Sequence, residues 1–172
     1  EIMEKFGADS TRCFVLFVSS PESEMEWSDK GVESIYRFLN RVHRKAFELK
    51  ETKKRKEKEL NRKSKLLQSR THRTIKIVSG HLEEIELNKA LMQLMQFEGL
   101  IEKCRGECSK EILNEAVKSL VLMLAPFAPH LSEELWKELK GKEFVSLSNW
   151  PAFDERKIDV KAEAEQELIE RT

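Results

Sequence analysis

Arginines recur in this chain at a spacing that suits phosphate. Arg37, Arg41 and Arg44 follow one another at i, i+4 and i+7, with Lys45 beside them. On a helix their side chains stack along one side. Arg70, Arg73 and Lys76 form a second such set, predicted on a neighbouring helix. A guanidinium is a planar fork that can donate two parallel hydrogen bonds to a phosphate, and lysine adds a compact charge on a flexible stem. Cations set out in this way fit the backbone of a nucleic acid, where they read phosphates and not bases. They also fit a solvated helix face with pairs inside the helix, to Glu33 and Glu48. Residue type alone does not choose between the two.

The charge distribution sharpens the question. Net charge is zero, yet from Arg41 to Lys76 there are 15 Lys and Arg against 4 Glu, a local +11. The rest of the chain carries 16 basic and 27 acidic residues, a local −11. A basic segment on an acidic body fits a polyanion contact and equally a solvated helical hairpin with many lysines. The alternative is a helical scaffold or protein-interaction module with a basic tip.

Other chemistry is hard to find. There is no glycine-rich phosphate loop and no His-Glu-x-x-His helix. Cys104 and Cys108 offer two thiols where a tetrahedral zinc site needs four ligands, and Cys13 sits among apolar residues. His43, His72, His81 and His130 are scattered, although His130 can hydrogen-bond within the corner that Pro129 begins. Glu133 and Glu134 are adjacent and point to different sides of a helix. No catalytic residue and no metal ligand is expected.

The elements that must hold the cations read as all-α. Of 172 residues only 6 are Gly and 4 Pro, too few for the turns of an all-β fold. Three cysteines, an odd number, suit a reducing compartment. No apolar run is long enough for a membrane span, and no signal peptide is present. The chain opens inside a helical pattern, without a starting Met, and closes in a charged one, as a piece of a longer protein would.

The central element is Ser109 to Leu139. Ile112, Leu113, Ala116, Val117, Leu120, Val121 and Leu124 make an apolar face too wide for a surface helix. Ser109 is a fitting N-cap, and Pro126 stops the helix. Pro129 suits the first turn of the next helix, which buries Leu131, Leu135, Trp136 and Leu139 and ends at Gly141 as a left-handed cap. Before this, Asp9 is predicted to cap a helix running to Phe17, ended by Ser19-Ser20-Pro21, and residues 21–28 form a loop holding Met25 and Trp27. A long helix then runs from Lys30 past Lys50, burying Val32, Ile35, Val42, Ala46 and Leu49. Residues 50–66 hold almost no apolar side chain and read as a connector or an exposed tip. A helix from Leu66 to Glu84 follows, with Ile75, Val78, Leu82 and Ile85 facing the core and Gly80 allowing close packing or a bend. A third runs to Cys104. After Gly141, Phe144, Val145 and Leu147 read as an extended strap, and 157–172 as an acidic link to another domain.

Several of these stretches together resemble leucyl-tRNA synthetases. They are GADSTRCFVLFVSSPESEMEWSDKGVESIYRFLNRVHR at 7–44, HRTIKIVSGHLEEIELNKALMQLMQ at 72–96, and LVLMLAPFAPHLSEELWKEL with the later Asn149-Trp150-Pro151. The match is collinear from residue 1 to about 155. The Glu-Trp-Ser-Asp segment at 26–29 favours the leucyl branch over valyl and isoleucyl relatives. His43 and Asn149 depart from the usual Trp and Pro, the basic connector at 50–65 exceeds the family pattern, and the HIGH and KMSKS signatures and the editing domain are absent from this sequence.

The resemblance implies an antiparallel helix bundle of the class I anticodon-binding type with a short extended C-terminal strap. It implies a connector at 1–28 following the catalytic loop, a bundle at 29–142, and a strap and acidic linker at 143–172 leading to a further domain. The parent would be a monomeric cytoplasmic ligase that charges tRNA-Leu with leucine, using ATP and magnesium. This piece would use no cofactor. It would pack against the catalytic domain of the same chain and hold the inner side of the tRNA through Arg37, Arg41, Arg44, Lys45, Arg70, Arg73 and Lys76. Read by themselves, Trp27 and Trp136 are expected to anchor the core or a loop, with stacking on bases as the alternative.

Overall fold

The structure is a computed structural model and describes residues 2–18, 28–51 and 60–164. Residues 19–27, with Met25 and Trp27, residues 52–59 of the connector and residues 165–172 lie outside the described residues. Among the described residues there is no strand. The helices are α1 (Ile2–Phe6), α2 (Ala8–Val18), α3 (Asp29–Glu51), α4 (Arg62–Glu83), α5 (Leu87–Cys104), α6 (Lys110–Leu124) and α7 (Pro129–Glu138). Short 3-10 turns follow at Val145–Leu147 and Glu155–Lys157.

The central helix is as the periodicity predicts. All seven apolar residues of the α6 face are buried, together with Met123. Ser109 caps α6 by accepting a hydrogen bond from the Ile112 amide at 3.4 Å. Helix α6 touches α3, α4, α5 and α7, which is why its apolar face must be so wide. Register gives the directions. Ser64 meets Ser109 and His72 meets Glu115, so α4 and α6 run parallel. Arg41 meets Glu98 and Glu48 meets Arg105, so α3 and α5 run parallel, opposite to the first pair. The bundle is therefore up-down-up-down. Helix α4 rests on α5 and α6, while α3 rests on α2, α5, α6 and α7. The two basic helices are thus not packed neighbours, contrary to the expectation from sequence.

Local chemistry moves several boundaries. Asn61 caps α4 by accepting from the Ser64 amide at 2.8 Å, so the helix begins four residues before Leu66. Helix α4 ends in a turn whose left-handed residue is Ile85, at φ 58. The Glu86 amide bonds the His81 carbonyl and the Ile85 amide bonds that of Leu82, the paired pattern that a glycine usually serves. Ile85 therefore projects to solvent and is not a core residue. Helix α7 ends the same way with Lys140 at φ 60, so Gly141 is not the left-handed residue. Gly141 is needed for another reason: a Cβ there would lie 2.1 Å from the Trp136 indole. Gly80 has open space around a would-be Cβ, so close packing is not its role.

The strap is only partly extended. Val145 turns inward and is buried within a 3-10 turn, whereas Phe144 and Leu147 face solvent. Glu133 holds that turn by accepting from the Val145 amide at 2.9 Å. Beyond it the chain returns along α4, and residues 160–164 are helical.

Candidate nucleic-acid interface

On α3, residues spaced for one face end in different places. Arg37 is 66% exposed and, among the described residues, bonds Glu33 of its own helix at 2.6 Å. Arg44 is 56% exposed and lies 3.8 Å from Glu48, also on its own helix. Both pairs are exposed enough for water to weaken them, so either guanidinium can exchange its partner at little cost. Arg41 is tied to α5, with Nε 3.0 Å from Glu98. Lys45 is enclosed: its side chain is 1% exposed, and its ammonium sits between Glu98 and Glu102. The bond from Lys45 draws the Glu102 carboxyl below its usual range. Lys45 thus presents no charge at the surface and serves to hold α3 on α5.

Glu98 is the residue that sequence reading overlooks here. It lies on the core stripe of α5 with Leu91, Leu94 and Ile101, all buried. An acid at i+4 from one buried leucine and i−3 from a buried isoleucine was the available signal, because a carboxylate in such a place must be paired.

On α4 the second set is paired with the strap, which runs antiparallel to the helix and half-buries Arg70 and Arg73 while Lys76 stays exposed. Trp150 donates its indole N–H to Ser79 at 2.8 Å. Phe153 lies under the Lys76 ammonium, 5.6 Å from ring centre. The Asp154 amide donates to His72 Nδ1 at 3.1 Å, and Glu155 pairs with Lys76 at 2.6 Å. The Asp159 amide donates to Ser69 at 2.8 Å. Glu163 completes the series: it accepts from Ser69 at 2.5 Å and lies 2.9 Å from Arg73 and 3.5 Å from Arg70. The described part of the segment read as a linker is therefore packed onto α4.

His72 sits between strap and bundle. Because Nδ1 accepts from Asp154, the ring proton is on Nε2, which is buried 3.3 Å from Glu115 of α6. Burial lowers the His72 pKa below the ordinary 6.5, against the opposing pull of Glu115.

Helix α2 grips the corner between α6 and α7. Asp9 does not cap its own helix but accepts from the Leu131 amide at 2.7 Å and faces His130 Nδ1 at 2.9 Å, so it caps α7 from across the fold. Arg12 donates to the Pro126 carbonyl at 3.3 Å. The Cys13 thiol donates to the Phe127 carbonyl, and burial pushes its pKa up to about 12. Gly31 brings α3 against the same element, since a Cβ there would lie 2.4 Å from the Phe14 ring. The segment 8–14 is thereby joined rigidly to the corner and to α3.

The surface holds little else for chemistry. The groove between the corner and the strap is lined by Leu122, Ala125, Pro126, Pro129, Val145 and Trp150, with Glu133 its one acid. Trp136 packs on the core with its indole N–H buried and unbonded. Cys104 and Cys108 are buried and share a hydrogen bond that lowers the Cys104 pKa. Among the described residues no cluster of three His, Cys, Asp or Glu side chains is placed to hold a metal ion, and no helix is long and apolar enough to cross a membrane.

The geometry is that of a helix bundle with a Pro-Phe-Ala-Pro corner and two helices that carry runs of cations. The model of the anticodon-binding domain of tRNA ligases matches residues 64–172, and the chain belongs to that family. Its relatives give the particular branch. It is 38% identical over 158 residues to a leucine–tRNA ligase of Nostoc, covering 90% of this chain and 18% of that protein. It is 38% identical over 161 residues to the leucine–tRNA ligase of Geotalea daltonii, covering 89% of this chain and 20% of that protein. The fold is similar to the agnB2 LeuRS of Agrobacterium radiobacter in a ternary complex with tRNA and LeuAMS. That similarity has a TM-score of 0.80 at 28% identity, over 92% of this chain and 21% of that one. The chain spans about a fifth of the length of these relatives.

Proposed function

We propose that this chain is the tRNA-positioning bundle of a leucine–tRNA ligase, holding the inner side of tRNA-Leu by contacts to backbone phosphates. The observation that carries this is the pair of exposed guanidiniums, Arg37 and Arg44, whose ion pairs within α3 are solvent-exposed and weak. Arg41 lies between them with part of its side chain in solvent. Arg70, Arg73 and Lys76 form a second set on α4, and Lys45 supports the first by anchoring α3. A solved relative carries tRNA, which agrees with this reading. Such contacts are positional and not base-specific.

Leucine activation with ATP and magnesium belongs to a catalytic domain of the same polypeptide, a monomeric cytoplasmic enzyme. None of the residues described here takes a step in that chemistry. Helix α2, locked to the corner through Asp9, Arg12 and Cys13, relays position between that domain and the bundle. Binding of tRNA-Leu to this chain across a salt series tests the proposal. Affinity should fall with a log-log slope of about −0.7 to −0.9 per phosphate contact. A salt-independent affinity, or heparin competing as well as tRNA-Leu, would favour the scaffold reading instead.

A further inference from the structure

The strap is acidic where α4 is basic, and the two are matched point by point. Its last described contact is the most telling. Glu163 is 4% exposed at the side chain, yet its Oε2 accepts no well-aligned hydrogen bond despite lying close to two guanidiniums. One oxygen is held by Ser69 and the other is surrounded by charge without directional bonds. The site therefore holds an anion between two guanidiniums and a hydroxyl, the donor set that a phosphate group uses. Arg70 and Arg73 keep 29% and 34% of their side chains in solvent.

We propose that Ser69, Arg70 and Arg73 form a phosphate seat for the RNA backbone, and that Glu163 occupies it in the closed state. A phosphate group has more acceptor oxygens than a carboxylate and can satisfy both guanidinium forks and the hydroxyl together. When it enters, Glu163 leaves, and the strap loses the contact that pins its end. The contacts at Asp159, Asp154 and Trp150 then follow in series, because they are the remaining points along the same line. The second basic face is thus a reserve site that opens on engagement. This rests on the phosphate-holding reading of the bundle and names the regulation of one of its two faces.

The test compares the whole chain with Glu163→Gln for binding of a tRNA-Leu transcript over a salt series. Glutamine keeps the shape and removes the competing charge. The variant should bind more tightly at low salt, with a slope steeper by about 1.5, the equivalent of two added phosphate contacts. The triple variant Glu163→Gln, Arg70→Ala, Arg73→Ala should return to the wild-type slope. A second reading uses the unmodified chain. Hydrogen exchange at the amides of Asp154 and Asp159 should speed up on saturation with the transcript. A folded Glu163→Gln variant whose slope equals wild type, or strap amides that keep their protection in the complex, would overturn the seat. The wild-type slope reports on α3 separately. A chain that binds only after Glu163→Gln would uphold the seat and sink the α3 contacts.

Discussion

Helices α3 and α4 carry similar runs of cations and use them differently. On α3 the cations divide by position: Arg37 and Arg44 remain in water, while Arg41 and Lys45 are drawn to acids on α5. On α4 all three cations meet acids of the strap. The difference shows that a periodic basic face measures the charge available to a helix and not the charge offered to a partner. What decides availability is where acids on other elements fall. Glu98 reaches α3 from α5, and Glu155 and Glu163 reach α4 from a segment about 80 to 95 residues away in sequence.

The largest expected effect separates the buried ion cluster from the open face. Glu98→Gln leaves the Lys45 ammonium enclosed with a weaker counter-charge and should cost about 3–5 kcal/mol in urea unfolding. Glu33→Gln, which releases Arg37 on the open side, should change stability by less than about 0.5 kcal/mol. Equal losses in the two would erase the distinction between them.

A smaller effect should appear at the covered face as pH changes. The folded chain binds a proton at His72 less readily than the unfolded chain, because burial lowers its pKa. Its contribution to stability is therefore present above about 6.5 and is lost as pH falls through the lowered folded value. Protonation also removes the Nδ1 acceptor used by the Asp154 amide, so the strap should loosen first. The protection factor of the Asp154 amide should fall on acidification before those of the α6 core do, and His72→Gln should flatten this dependence. Glu115, Asp154 and Lys157 also face the ring, the two acids opposing the shift and the lysine adding to it. A change of opposite sign sits at the end of α4. Gly80→Ala, in open space on a helix, should stabilise the chain by about 1 kcal/mol without altering RNA binding.

Much of the fold can be read from local pattern. The α6 face, the Ser109 cap and the Pro126 stop depend on residues within a turn or two of each other, and they are where the pattern puts them. The left-handed residues are not, because Ile85 and Lys140 hold positions where glycine would be the natural reading. Neighbouring hydrogen bonds impose the turn and override residue preference. Asp9 carries the composition of a local cap and serves a helix more than a hundred residues away. The candidate interface was legible only as chemistry. Spacing identified the cations, but the burial of Lys45 and the cover over Arg70 and Arg73 depend on long-range contacts that no local pattern contains.

The most direct measurement is the salt dependence of tRNA-Leu binding by two double variants of the whole chain. Open cations on α3 predict that Arg37→Ala with Arg44→Ala will reduce the slope by about 1.5. Cations on α4 that engage only after Glu163 is displaced predict that Arg70→Ala with Arg73→Ala will reduce the slope by much less than the α3 pair does. An unchanged slope in the first pair and a reduced one in the second would contradict the assignment of α3 as the face that meets RNA.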